Sequence, residues 1–298
     1  MSELIHLSGR TWYIKSPTNI GLFVTDNNEV ILIDSGNDKD AARKVLSILQ
    51  SNNWTLKMII NTHSNADHVG GNSYLQEKTN CRIAATRFEA AFISDPVLES
   101  SFLFGAYPNS KMRNKFLLSQ PSNVTDIISY DCENALIVDT TLRAVPLPGH
   151  FMDMIGVMTP DKVFFAGDSL FSSNVLNKYH ITFLYDVKSF IQTLDKLEQM
   201  HACLFIPSHA DSTDDIKQLV KINKNKINEV TDTILEYCVD PINFENLLKK
   251  LFDHYGLILD FNQYILVGST VKSYLSYLYD LKQIEAIFEN NVLLWKKI

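Results

Sequence analysis

The sequence predicts an α/β protein, and three observations support this prediction. The first is a strand–strand–helix–strand series between residues 21 and 60. The second is a set of later apolar runs that each lead to a histidine or an aspartate. The third is size, because 298 residues with 46% hydrophobic content can bury one large core, or one large and one small. Folds built this way collect their chemistry at the ends of the strands.

The first series begins with two apolar runs, residues 21–24 and 30–33, separated by Asp26-Asn27-Asn28. This pattern predicts two strands joined by a tight turn. Between residues 38 and 50 the apolar positions recur at spacings of three and four, which places them on one face of a helix. Residues 57–60 then predict a short buried strand that points at His63.

Later elements repeat the same arrangement. An apolar run reaches His150 through a Pro and Gly break, a strand pair ends at Asp168, and a third run leads to His209. A buried strand is therefore followed each time by a residue that can hold a metal. The expected elements are strands at 136–138, 142–145, 155–158, 163–166 and 203–206, and a helix at 186–200.

The most informative segment is THSNADHVGG at residues 62–71, which holds His63, Asp67 and His68 within six positions. Neutral imidazoles and carboxylates are the ligands that zinc and iron take from proteins. Any one such residue is more often a turn or loop residue. The whole set favours a metal site because each member follows a predicted strand. That set is His63, Asp67, His68, His150, Asp168 and His209.

With these segments the chain resembles the metallo-β-lactamase superfamily, whose signature HxHxDH is followed by a histidine, an aspartate and a histidine. The resemblance covers about residues 10–212. It implies a four-layer αββα sandwich, with two mixed sheets face to face, helices outside and the metals at one rim. It rests on LIDSG at 32–36, THSNADHVGG at 62–71, PLPGH at 146–150, FFAGDSLF at 164–171 and IPSH at 206–209.

The resemblance implies two metal sites that share Asp168. Asn65 stands where the signature has a further histidine, and a neutral amide is a poorer ligand than imidazole. We therefore expect one or two zinc ions, with the second site filling first, and iron as the other candidate metal. Asp67 is expected also to orient the attacking water. The implied ligands are His63 and His150 in the first site and Asp67, His68 and His209 in the second.

The function that the resemblance implies is a metal-dependent hydrolase of a small ester, thioester, lactone or phosphoester, acting through a metal-activated water. Two alternatives stay open. One is an iron-dependent oxidoreductase on the same scaffold, and the other is a non-catalytic metal- or ligand-binding member with a degraded first site. Nucleases of the superfamily carry a large insertion and a basic surface, but only about 40 residues separate Asp168 from His209 and the chain is acidic.

The segment 86–125 is longer than the basic fold requires and interleaves aromatic residues. We expect these aromatics mainly to pack on each other, with a lid over the metals as the alternative. Arg87, Glu89 and Arg113 are expected to be solvated surface charges, with the orientation of a polar substrate as the alternative. Tyr179, His180 and Tyr185 follow the Asp168 segment and are candidate pocket residues.

After residue 212 the pattern changes, which predicts a catalytic domain at 1–212 and a second domain at 213–298. Helices at 217–238, 243–255 and 268–280 and a hairpin at 284–288 and 292–298 resemble a winged-helix domain. Residues 211–298 contain ten Lys, no Arg and thirteen Asp or Glu, which argues against nucleic-acid binding. We expect this part to dock on the catalytic domain or to form a homodimer.

Composition narrows the setting further. The net charge of −7 disfavours a phosphate-binding role, and no apolar run is long enough to span a membrane. The sequence shows no secretory signal, and its four cysteines lack CxxC pairing, which is typical of reduced, buried thiols. We expect a cytoplasmic protein whose partner is a small-molecule substrate.

Overall fold

The computed structural model describes residues 3–298. Its strands form two large sheets and one separate hairpin. The first sheet contains β1 (Glu3–Ser8), β2 (Thr11–Lys15), β3 (Ile20–Val24), β4 (Glu29–Ile33), β5 (Thr55–Ile60), β6 (Arg82–Thr86) and β7 (Asp126–Ile128) in that order. The second contains β8 (Ala135–Leu136), β9 (Arg143–Pro146), β10 (Ile155–Met158), β11 (Val163–Phe171) and β12 (Leu204–His209), and the hairpin is β13 (Ile284–Glu289) with β14 (Val292–Lys297).

Helices lie between and after these strands. They are α1 (Lys39–Ser51), α2 (Ala66–Val69), α3 (Asn72–Thr79), α4 (Arg87–Ser94), α5 (Val97–Phe104), α6 (Ser173–Tyr179), α7 (Val187–Gln199), α8 (Lys217–Tyr237), α9 (Phe244–Tyr255) and α10 (Phe261–Asp280). Among these described helices, none combines the length and the apolar character that crossing a membrane requires.

Three apolar layers confirm the predicted αββα sandwich. Between the sheets, Phe23 and Met58 from one side belong to the same buried cluster as Val157 and Phe165 from the other. A second cluster joins the outer face of the first sheet to α1 and α3. A third joins the outer face of the second sheet to α7 and the C-terminal helices. Strands β4 to β7 pair in parallel and the rest of the first sheet is antiparallel, so the sheet is mixed.

The inserted segment is only partly helical. It forms α4 and α5, whereas residues 106–125 form turns and irregular backbone. The Phe92 ring packs on those of Phe102 and Phe151, as expected for aromatic packing. Phe88, Tyr107 and Phe116 are more than half exposed, so the packing prediction does not hold for them.

The C-terminal part contains the predicted three helices and hairpin, but α10 begins at Phe261 and not near 268. Asp260 caps it by accepting a hydrogen bond from Gln263 N at 2.8 Å. These helices share one buried cluster with the second sheet, in which Val271 and Leu275 accompany Phe164. The domain boundary, the winged-helix likeness and a dimer through this part stay predictions.

Candidate metal centre

The segment after β5 carries the first three candidate ligands. The chain leaves the sheet at Ile60, and His63 follows as a fully buried side chain. Asp67 and His68 lie in the single turn of α2, which Asn65 precedes. A Cβ atom on Gly70 would lie 2.4 Å from the backbone of Asn37, so only glycine lets this helix end against the neighbouring loop.

His150 lies on the turn between β9 and β10. The preceding Gly149 has a φ of 125°, and a Cβ there would lie 2.3 Å from the Phe190 backbone nitrogen. Glycine is required on both counts. This turn brings His150 towards the His63 side chain, with ring centroids 5.0 Å apart.

Asp168 and His209 come from two paired strands of the second sheet. Both were predicted to follow strands, but β11 extends to Phe171 and β12 to His209, so both residues lie within strands. The two strands pair in parallel, with register shifts around Gly167. Parallel neighbours present their carboxyl ends at one edge, which is how two residues so far apart in sequence come together.

The six predicted ligands converge on one site. His209 Nε2 lies 3.2 Å from Asp67 Oδ2 and 3.2 Å from Asp168 Oδ2, and His68 Nε2 lies 3.0 Å from Asp168 Oδ1. His150 Nε2 is 3.6 Å from Asp168 Oδ2. They form two groups whose candidate ligand atoms lie within 4.8 Å of one another: His63, His150 and Asp168, and Asp67, His68 and His209.

Each imidazole is held through its Nδ1 atom, which leaves Nε2 for the centre. His150 Nδ1 donates to Phe183 O at 2.9 Å, and His209 Nδ1 donates to Pro17 O at 3.0 Å. A carbonyl only accepts, so in both rings Nδ1 carries a proton. His68 Nδ1 pairs with Asp34 Oδ2 at 2.8 Å. Such outer partners set the tautomer and orientation of metal-binding histidines.

His63 completes this pattern through Thr62. The Thr62 hydroxyl donates to Asp34 Oδ2 at 2.8 Å and lies 3.0 Å from His63 Nδ1, from which it accepts. Asp34 therefore supports two ligands from one position. It has a φ of 62°, a conformation that aspartate and asparagine tolerate better than most residues.

The donor atoms fit a metal ion. His63 Nε2, His68 Nε2 and Asp168 Oδ1 are buried and, among the described residues, have no hydrogen-bond partner outside this cluster. Buried polar atoms normally have partners, and these three face one another instead. An oxygen and nitrogen set of this kind suits zinc or another first-row divalent ion.

The charges of these side chains reflect the same convergence. Burial opposes protonation of His209, but Asp168 and Asp67 outweigh it and raise its pKa to about 10. The pKa of His68 is raised in the same way, against burial, by Asp168, Asp67 and Asp34. For His63, burial and the neighbouring His68 lower the pKa. Metal binding must therefore displace protons from the His68 and His209 side.

Comparison with known proteins identifies the family. Residues 14–209 match the model of the metallo-beta-lactamase superfamily. The chain belongs to this superfamily. Within it, the chain resembles proteins named hydroxyacylglutathione hydrolase. It is 30% identical over 159 residues to one from Rhodopseudomonas palustris (strain BisB18), covering 52% of this chain and 49% of that protein.

A second such relative, from Nitrobacter hamburgensis, is 31% identical over 157 residues, covering 50% of each chain. This chain thus spans about half the length of the curated relatives that it matches. Two solved structures share the fold over nearly the whole chain. A beta-lactamase domain protein from Burkholderia ambifaria has a TM-score of 0.75 at 15% identity, covering 99% of this chain and 94% of that one. A metallo-beta-lactamase family protein from Thermus thermophilus has a TM-score of 0.72 at 18% identity, covering 97% of this chain and 99% of that one.

Beside the six candidate ligands lie three buried carboxyls, none of which was predicted to support a ligand. Asp34 belongs to the LIDSG run. Glu89 is fully buried, so the surface-charge prediction is wrong, and it accepts hydrogen bonds from Ser64 N at 2.8 Å and Asp153 N at 3.1 Å. Glu99 accepts from Asn65 Nδ2 at 2.7 Å. Burial raises the pKa of Glu89 to about 7 and that of Glu99 to about 8.

The three candidate pocket residues separate in the structure. Tyr185 N donates to His150 O at 3.1 Å, and its ring lies 5.6 Å from that of Phe102, so it borders the site. The His180 ring stacks on Tyr255 at 4.7 Å, and Tyr179 contacts Lys178. Their role as pocket residues stays a prediction, and the contacts favour Tyr185.

The C-terminal helix α10 reaches the first group through one peptide unit. Phe183 O accepts from His150, and Leu184 N, in the same peptide group, donates to Thr270 Oγ1 at 3.1 Å. A planar peptide therefore links α10 to His150.

Proposed function

We propose that this chain is a metal-dependent hydrolase of a small carbonyl substrate, with thioesters as the favoured class. The observation that carries the proposal is the convergence of six ligand-type residues whose facing atoms lack other partners among the described residues. The resemblance to proteins named hydroxyacylglutathione hydrolase supports the thioester class. Zinc is the metal that this ligand set favours first.

His63, His150 and Asp168 would hold one ion, and Asp67, His68, His209 and Asp168 the other. When bound, such ions acidify water and offset the negative charge that develops on the carbonyl oxygen. The chain itself orients the reactants. Asp67 is 41% exposed at its side chain, whereas Asp168 is buried, so Asp67 is the carboxylate that a water and a substrate can both reach.

The hydroxyl of Thr18 holds Asp67 in place. It donates to Asp67 Oδ2 at 2.9 Å, and that same oxygen lies 3.2 Å from His209 Nε2. A carboxylate fixed from two sides keeps its free oxygen in one direction. We infer that Asp67 accepts the hydrogen bond of the attacking water and sets its approach to the carbonyl carbon.

An apolar hollow of about 610 Å³ supplies a site for the acyl group. Phe102 lines it, one turn of α5 beyond Glu99, and contacts Tyr185 beside His150. Tyr185 in turn contacts His150 through its backbone, so two residues connect the hollow to the centre. The lining is Phe88, Ala91, Phe92, Leu98, Ser101, Phe102, Gly105, Ala106 and Met152.

The test is hydrolysis of a panel of thioesters, esters, lactones and phosphodiesters by the zinc-loaded full chain. Thioesters should be cleaved fastest, with Asp67→Asn lowering kcat/KM by at least about 100-fold. Asp214→Asn, the same change at an exposed position, is the matched control. An unchanged kcat/KM in Asp67→Asn would show that Asp67 takes no part in the reaction.

Metal analysis of the purified protein separates the other functions. Near-stoichiometric iron without zinc would favour the oxidoreductase. Bound zinc with no turnover of any substrate class would favour the non-catalytic member.

A further inference from the structure

Asn65 and Glu99 form a pair beside the first ligand group. Asn65 takes the position of the histidine that the superfamily signature would place there. Glu99, from the inserted helix α5, is 5% exposed and accepts the Asn65 Nδ2 hydrogen bond at 2.7 Å. The mechanism proposed above leaves both residues without a role.

The pair determines which end of the amide faces the centre. In the structure the Asn65 nitrogen donates to Glu99, so this end of the amide faces away from the centre. The Asn65 oxygen then points the other way, and Oδ1 lies 2.9 Å from His150 Nε2.

At that contact two possible metal ligands lie side by side. His150 Nδ1 carries the proton that it donates to Phe183 O, so Nε2 is the ring atom left for the centre. In the neutral imidazole that binds metals, Nε2 presents a lone pair to the Asn65 oxygen, and a cation bound by both atoms removes the repulsion between them.

We propose that Glu99 is a positioning residue that holds the Asn65 amide so that Oδ1 serves as an oxygen ligand of the first metal site. The carboxylate behind the amide plays the part that carboxylates play behind metal-binding histidines. The first site then has two imidazole nitrogens and two oxygens. This oxygen-rich set takes Mn²⁺, Fe²⁺ and Co²⁺ more readily than an all-histidine site does.

The rival arrangement is a reversed amide. Asn65 Nδ2 would then donate to His150 Nε2, and a protonated Glu99 would donate to the amide oxygen. This arrangement closes the first site with a hydrogen bond. It predicts a protein that binds only one ion, on the side of Asp67, His68 and His209.

The experiment titrates Co²⁺ into the metal-free full chain, with absorption spectra and bound-metal analysis as readouts. The wild type should bind two ions. The ion that binds later should occupy the site of His63, His150 and Asp168, and this is called the second binding step. Glu99→Met should weaken that second step about 10- to 100-fold, as expected for loss of an outer partner of a ligand. Glu99→Gln keeps an acceptor oxygen, so its affinity should stay within about threefold of the wild type.

Asn65→Leu, of similar size, should weaken the second step at least as much as Glu99→Met. Adding Glu99→Met to Asn65→Leu should cause no further loss, because the two residues act as one unit. The first binding step, at Asp67, His68 and His209, should be unchanged in every variant and shows that each protein is folded.

One bound Co²⁺ in the wild type, or two equally tight ions in Glu99→Met, would overturn the proposal. A loss in Glu99→Gln as large as in Glu99→Met would do the same. The inference rests on the proposed function only in needing metal at this site. Co²⁺ titration reports on the ligands without turnover, so a failed thioester assay with the expected Co²⁺ binding would refute the reaction alone.

Discussion

The two halves of the metal centre share Asp34 as a support, but they differ in their contacts with the inserted helices. His68 and His209 are held by Asp34 at the end of β4 and by the loop around Pro17, which both belong to the sandwich. On the other side, Ser64 and Asn65 rest on Glu89 and Glu99 from the inserted helices α4 and α5. The half with His68 and His209 has histidine or aspartate at each predicted ligand position, and the asparagine lies in the half that contacts the insertion. The one departure from the signature therefore lies where an added element meets the ligand segment.

The first prediction concerns Asp168, the residue that both halves of the centre share. Asp168→Ala should abolish tight binding of both ions, with a loss beyond the roughly 100-fold typical of an outer partner. Competition with a chelator, followed by bound-metal analysis, measures this. Asp214→Ala, an exposed aspartate, should bind metal as the wild type does. Retention of one tight ion in Asp168→Ala would show that the halves are independent.

The second prediction concerns Glu89, the buried carboxyl that accepts a hydrogen bond from Ser64 N. Burial raises the Glu89 pKa from 4.5 to about 7, so the folded chain binds this proton more tightly than the unfolded chain. The unfolding free energy of the metal-free protein should therefore fall by roughly 3 kcal/mol from pH 4.5 to pH 7 through this group.

Urea unfolding at several pH values tests it. Glu89→Gln should flatten that part of the profile, whatever its overall stability, and Glu285→Gln, at an exposed position, should not. Equal slopes in the wild type and Glu89→Gln would mean that Glu89 does not titrate in this range.

The third prediction concerns Asp34, which contacts His68. Asp34→Asn keeps a residue that tolerates positive φ but removes the charge behind His68, so second-site affinity should fall about 10- to 100-fold. The first site should change less, because Asp34 reaches His63 only through Thr62. Isothermal titration with zinc separates the two steps. A larger loss of zinc affinity at the first site would show that Asp34 supports His63 more than it supports His68.

The smallest expected effect comes from restoring the family residue. Asn65→His should raise first-site zinc affinity roughly tenfold, because imidazole is the better zinc ligand. Zinc content after dialysis against dilute zinc measures it. An unchanged zinc content would mean that the residue at position 65 does not limit this site.

The sequence identified the ligand-type residues that converge in the structure, but it did not reveal most of the contacts that support them. His63, His68, His150 and His209 could be found because histidine is rare and each follows an apolar run. Asp34 was visible in LIDSG, but its contact with His68 joins residues 34 positions apart and depends on how β4 meets α2. Glu89 and Glu99 carry charges on short helices, a pattern that normally predicts exposure. Their burial arises from packing between segments, which local periodicity does not encode.

The peptide group between Phe183 and Leu184 connects α10 to the candidate metal centre. Its N–H donates to Thr270 of α10, and its carbonyl oxygen accepts from His150. A displacement of α10 would therefore move His150, one of the candidate ligands. Fusion, immobilisation or truncation at the C-terminus would in that case alter the candidate metal centre, although none of its six residues lies in the C-terminal part.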